Sequence, residues 1–228
     1  MSSGAYSTLQ LGLEEVSDLI KADPTPRGGI SPEPSVSRAV LRSAVVLLCG
    51  HFERYIRSVN EEAIELINNS KIEDGSLPVT LRLEHSKVAI DEMSQMQWTN
   101  RANALSEFVT SEAWLWGEAP QGQLAHSKIL SWLKTPSAKR IGRFYRTWGI
   151  DDIFDLITRK EHIKRWFSLK ITELAEKRNN IAHGDFSTEA TREELVDYKK
   201  VIAIFSKRVD RRMHRILSKE LGISCPWY

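Results

Sequence analysis

The chain has 228 residues, 41% apolar and 27% charged, with a formal net charge of +2, an ordinary balance for one medium folded domain with a real core. Two cysteines, Cys49 and Cys225, make neither a disulfide framework nor a zinc site. The densest apolar run, Ala44 to Cys49, falls far short of the ~20 residues of a membrane span, and the first residues lack the basic patch and apolar core of a secretory signal, so a cytoplasmic protein without a membrane segment is expected.

Tyr6, Leu9, Leu13, Val16, Leu19 and Ile20 recur at helical spacing and predict a short amphipathic helix over residues 6–22. The Pro- and Gly-rich stretch 23–34 breaks it. A long helix is expected over 35–68, with Val40, Ala44, Leu48, Phe52, Tyr55, Ile56, Val59, Ala63 and Ile67 on one broad face, and 71–75 as its exit turn. Residues 77–138 read as an insertion of unclear role. Within it, 77–83 is strand or extended, 87–108 helical, 113–117 a packed loop and 124–133 a short helix. Asp151, Asp152 and Asp155 place carboxylates in the first turn of a helix near 151–157. A helix over 164–183 follows, with Phe167, Ile171, Leu174, Ala175 and Ile181 facing the core and Gly184 where a left-handed cap belongs. A last helix spans 191–221. No internal repeat is present. The chain reads as mostly helical, and the architecture expected is a helix bundle forming a single domain.

Charge is uneven along the chain. Residues 139–170 carry a net +5 and residues 199–219 a net +7, clusters that either draw in a polyanion or are solvated helix faces. The segment Arg178-Asn179-Asn180-Ile181-Ala182-His183 ends the late helix. It brings a guanidinium that can hold phosphate and an imidazole that can move a proton. The spacing Arg-x4-His is weak by itself: 18 arginines and 6 histidines supply about half an instance by chance. Arg208 and His214 form a decoy of looser spacing. Context says more. Asn179 and His183 are four residues apart and share a helix face, while paired asparagines are poor interior helix formers. The competing reading is an imidazole that merely caps its helix.

Arg178-Asn179-Asn180-Ile181-Ala182-His183-Gly184 resembles the Arg-Asn-x3-His form of the HEPN motif. The helix around Leu48-Cys49-Gly50-His51-Phe52-Glu53-Arg54-Tyr55-Ile56 is similar to the first core helix of the prokaryotic RiboL-PSP-like and MAE-like branches. The resemblance covers about half the chain and leaves 77–138 without a quotable motif. It implies an all-α bundle that dimerises with both motifs in one cleft. It also implies a metal-independent endoribonuclease that needs no cofactor, often a toxin or anti-phage effector restrained by an antitoxin or other defence-system protein. By that chemistry His183 is the general base or acid, Arg178 clamps the non-bridging oxygens, and Asn179 orients phosphate or imidazole. Glu53 either holds Arg178 or His183 in place or is an exposed carboxylate on a polar stripe. Arg143 and Arg146, beside Tyr145 and Trp148, either combine guanidinium and ring surfaces as single-stranded RNA binding uses or flank rings that pack in the core, and Asn180 joins the two arginines as a substrate contact. Two rivals stay open: a catalytically inactive HEPN module for dimerisation or partner binding, and a nucleotide-binding cleft without cleavage.

Overall fold

A computed structural model describes residues 2–26, 29–70, 77–116 and 122–227. The first helix, α1 (Gly4–Ala22), starts where the Ser3 hydroxyl accepts the Tyr6 N–H and the Glu62 carboxylate takes the N–H groups of Gly4 and Ala5, so the helix start is fully capped. It packs along α2 (Pro34–Asn68), the longest element, at ~52 Å by its residue count. Gly12 makes that packing close: a Cβ there would lie 2.5 Å from the His51 ring.

The helices α8 (Glu161–Ala182) and α9 (Arg192–Arg215) pack on α2 and on each other, and α1 closes the bundle against α9. Their common core is aromatic. Phe205 of α9 meets Phe52 of α2, Phe154 of the short α7 (Ile153–Ile157) and Phe167 of α8, with ring centroids 5.5–5.8 Å apart. Asp152 caps α7 through the N–H groups of Phe154 and Asp155. The helix α6 (Ala138–Arg146) lies against α8, burying Ala138, Ile141, Phe144 and Tyr145 and leaving Lys139, Arg140, Arg143 and Arg146 outside. A π-helical turn, Ile216–Glu220, follows α9. By length and apolarity alone α2 passes for a membrane span, but its apolar residues Ala44, Val45, Leu48, Phe52, Ile56 and Val59 are buried in the bundle core.

The chain is all-α, with no strand among the described residues. Residues 77–138 depart most from expectation. The extended reading of 77–83 is replaced by the start of α3 (Val79–Gln95). Pro78, extended at ψ 131°, opens the helix, and the apolar alternation misleads, because only Leu81 of that helical stretch turns inward. The single helix expected over 87–108 breaks at Met96, which is extended (ψ 153°), giving α3 and α4 (Trp98–Trp116). Arg101 secures the corner by donating to the carbonyls of Met96 and Ser94, a device no Gly or Pro announces. Trp114, Leu115 and Trp116, expected in a loop, form the last turn of α4; Gly117 and the exit turn at 71–75 lie outside the described residues. The arm is fastened at its base to α5 (His126–Leu130). There Ala125 N–H donates to His85 Nε2 (3.0 Å), which leaves Nδ1 to donate to Glu112 (2.9 Å), and Lys128 pairs with the same carboxylate.

Candidate active site

Phe167, Ile171, Leu174 and Ala175 give α8 its inward stripe, and Arg178 extends that stripe by one turn, half-buried at the edge of the core. Where the stripe leaves the bundle, the helix stops. His183 is the cap residue and Gly184 takes φ +82°. Gly184 N–H donates to Ile181 O (3.1 Å) and Asp185 N–H to Asn180 O (3.0 Å), the paired bonds of a Schellman ending. Asp185 then folds the following loop. Its carboxylate accepts from Thr188 Oγ1 (2.6 Å), Ser187 Oγ (2.7 Å) and Ser187 N–H (2.8 Å), and these donors, Thr188 first, hold its pKa down at about 2. Arg42 of α2 donates to the carbonyls of Asp185 (2.7 Å) and Thr188 (2.8 Å) and lies 5.6 Å from the exposed Phe186 ring. The end of the motif is thereby clamped to α2.

Arg178 Nη1 donates to Asn179 Oδ1 (3.2 Å) and to Thr135 Oγ1 (3.4 Å), which aims the guanidinium at the 133–137 loop. Asn179 therefore orients the arginine, not the imidazole. His183 stands exposed, about 7.5 Å further along the helix axis, and nothing among the described residues bonds its ring. At 100° per residue, Asn179 and His183 share one edge of α8, and Ile181 lies on the other. There it lines an open groove of about 580 Å³ with Leu19, Ala39, Arg42, Ser43, Val46 and Leu47. Asn180 is exposed and free of side-chain bonds among the described residues.

Glu53 makes no hydrogen bond or ion pair to Arg178 or His183, because Arg178 is engaged by Thr135 and Asn179 and the imidazole projects from the helix end. Glu53 and Arg178 both face the buried Cys49. Burial pushes that thiol up to about 12, Arg178 opposing and Glu53 adding, so Cys49 is no nucleophile. Arg143 and Arg146 stand on α6, away from the motif but joined to it through the 133–137 loop. The decoy does not assemble: Arg208 packs 5.4 Å from the Phe167 ring and donates to Ile157 O. Sequence reasoning missed Thr135, Arg42 and Asp185. None belongs to the motif, and only the tertiary fold brings Thr135 and Arg42 to it.

Fold and motif together define an all-α helical bundle with an Arg–His pair at the end of a late core helix. The family model described as RiboL-PSP-HEPN matches residues 7–214, and the chain belongs to that family. The match spans the α3–α5 region too, which the resemblance in the sequence had left uncovered. No curated protein and no solved structure matches the chain. HEPN domains are often ribonucleases, and some are inactive.

Proposed function

We propose that this protein is a metal-independent endoribonuclease working through Arg178 and His183. The observation that carries the reading is their division of labour on α8. Arg178 is half-buried and held in one direction by two acceptors, while the His183 ring is exposed with both nitrogens unclaimed among the described residues. A fixed guanidinium suits charge on a phosphorane, and a free imidazole suits proton transfer.

In the reaction, the ribose 2′-OH loses its proton and forms a bond to the adjacent phosphorus as the P–O5′ bond breaks. The departing 5′ oxygen gains a proton, leaving a 2′,3′-cyclic phosphate and a 5′-OH. His183 performs one proton transfer. Arg178 neutralises the non-bridging oxygens. In a homodimer with motifs in one cleft, the partner's motif supplies the second proton transfer. The exposed Phe186 beside the motif and the open apolar groove on the other edge of α8 support association, since such surface favours burial. Asn180, Arg143 and Arg146 contact substrate, and Glu53 contributes field at the Arg178 end without touching it. A toxin or anti-phage role follows from the need to restrain such an activity, with an antitoxin or defence-system protein as the restraint, in the cytoplasm.

The inactive docking module is the second reading, favoured by the α3–α4 arm, which exposes Val79, Leu83, Trp98, Leu105 and Val109. The two readings separate on product chemistry. The ribonuclease leaves cyclic-phosphate ends on RNA and does not cut a strand whose scissile nucleotide is 2′-deoxy. Absence of cleavage by the intact dimer favours the module.

A further inference from the structure

Two guanidiniums meet at Thr135. Arg178 donates to its hydroxyl, and Arg140 of α6 donates to its carbonyl (3.2 Å). Two residues earlier in the same loop, Arg57 of α2 donates to Leu133 O (2.9 Å). Arg143 and Arg146 follow Arg140 at three-residue steps along the exposed face of α6, so the three guanidiniums extend over ~9 Å of helix axis. Arg143 lies over the half-buried Trp132 ring, 4.9 Å from its centroid. Trp132, Arg143, Arg146 and Thr147 then form one wall of a groove of about 190 Å³, and Thr80, Leu83 and Glu84 of α3 form the other.

Arg38, Arg165, Arg192 and Arg212 each pair with a carboxylate. Among the described residues, Arg57, Arg140, Arg143, Arg146 and Arg178 have no carboxylate partner at ion-pair distance and bond only neutral oxygens and a ring face. Arg42, Arg101 and Arg208 also bond only carbonyls and ring faces, but on separate elements, whereas the arginines above gather around the 133–137 loop and α6. A row of unpaired guanidiniums ending in a narrow groove with an aromatic floor is what a single-stranded polyanion requires.

We propose that the strand entering the Arg178–His183 site runs along α6, its phosphates passing from Arg178 to Arg140, Arg143 and Arg146. One base lies in the groove between Trp132 and α3. The inference rests on the ribonuclease reading and assigns its substrate a single-stranded path. Glu84, the one carboxylate lining the groove among the described residues, meets the amino edge of a base rather than a phosphate. The α3 helix thereby becomes a wall of the substrate site, which gives the 77–138 region a role in choosing RNA.

The test is fluorescence anisotropy with a labelled, fully 2′-O-methylated single strand of about 12 nucleotides, within the ~4–16 that single-strand grooves accommodate. The methylated strand cannot be cut by the 2′-OH route, so binding is read apart from catalysis. Arg140→Ala/Arg143→Ala is compared with wild type and with Lys200→Ala/Lys207→Ala, which removes the same charge from the exposed basic face of α9. The track variant binds at least about tenfold more weakly, and its slope of log affinity against log salt shrinks by ~1.4, for two lost contacts at ~0.7 each. The α9 variant stays within about twofold of wild type. Equal loss in both variants, or none in the track variant, overturns the path. Equal affinity for a 2′-O-methylated duplex overturns its single-stranded character. Failure of wild type to cleave ordinary RNA while this binding pattern holds defeats the nuclease reading and leaves the track standing.

Discussion

On the proposed ribonuclease reading Arg178 and His183 take different tasks, and their substitutions should separate accordingly. Removing the imidazole in His183→Ala removes one proton transfer, and turnover falls about 10²–10⁴-fold. In Arg178→Lys the charge stays but the planar fork that reaches Thr135 and Asn179 is lost. We expect turnover to fall by about 10²-fold, read as kcat in single-turnover assays, with RNA binding little changed. Gly184 is required by backbone alone. At φ +82° an L side chain is strained, so Gly184→Ala lowers stability by about 1–2 kcal/mol in denaturant unfolding and shifts the imidazole with the helix end. The helix end that carries Arg178, His183 and this glycine was legible in the sequence, because helix-end chemistry is local. Thr135 was not, since nothing in Thr135-Pro136-Ser137 except the helix start they precede marks a partner for an arginine 43 positions later.

At the scale of elements, α1, α2, α8 and α9 were legible because each carries a long inward stripe bounded by clear stops. α3 and α4 were not. Their tips bury nothing, so no periodic stripe marks them, and their corner is made by Arg101 instead of Gly or Pro. The arm depends on its base. His85 is buried as the neutral tautomer that accepts from Ala125 and donates to Glu112, with Ser86 and Lys128 facing the same carboxylate. Burial, against the pull of Glu112, lowers its pKa below the ordinary 6.5. The unfolded chain therefore binds this proton first, and the base loses stability as pH falls below about 6.5. Amide exchange in α3 and α5 should accelerate from about pH 7 to about pH 5 beyond the intrinsic trend, and His85→Gln should remove that excess. Between α1 and α2 the contact at Gly12 leaves no room. Gly12→Ala costs about 1–3 kcal/mol, and adding His51→Ala recovers much of it, a coupling that a double-mutant cycle measures.

For the whole molecule, the mostly helical character followed from periodicity and the all-α class from the resemblance to the family, whereas the joining of motif, 133–137 loop and α6 needed the tertiary fold. The basic stretch 139–170 divides between an α6 face with unpaired arginines and cations already paired within the protein, such as Lys164 with Asp155 and Arg165 with Glu161. Linear charge could not separate them. The central claim is that a helix-end Arg–His pair in this bundle cuts RNA without a metal. It is tested most directly by incubating purified wild type, Arg178→Ala and His183→Ala with single-stranded RNA in excess chelator and resolving the product ends. Wild type should yield 2′,3′-cyclic phosphate and 5′-OH termini, and both folded variants should be at least about 10²-fold slower. Equal cleavage by all three proteins, or activity that chelation abolishes, would contradict it.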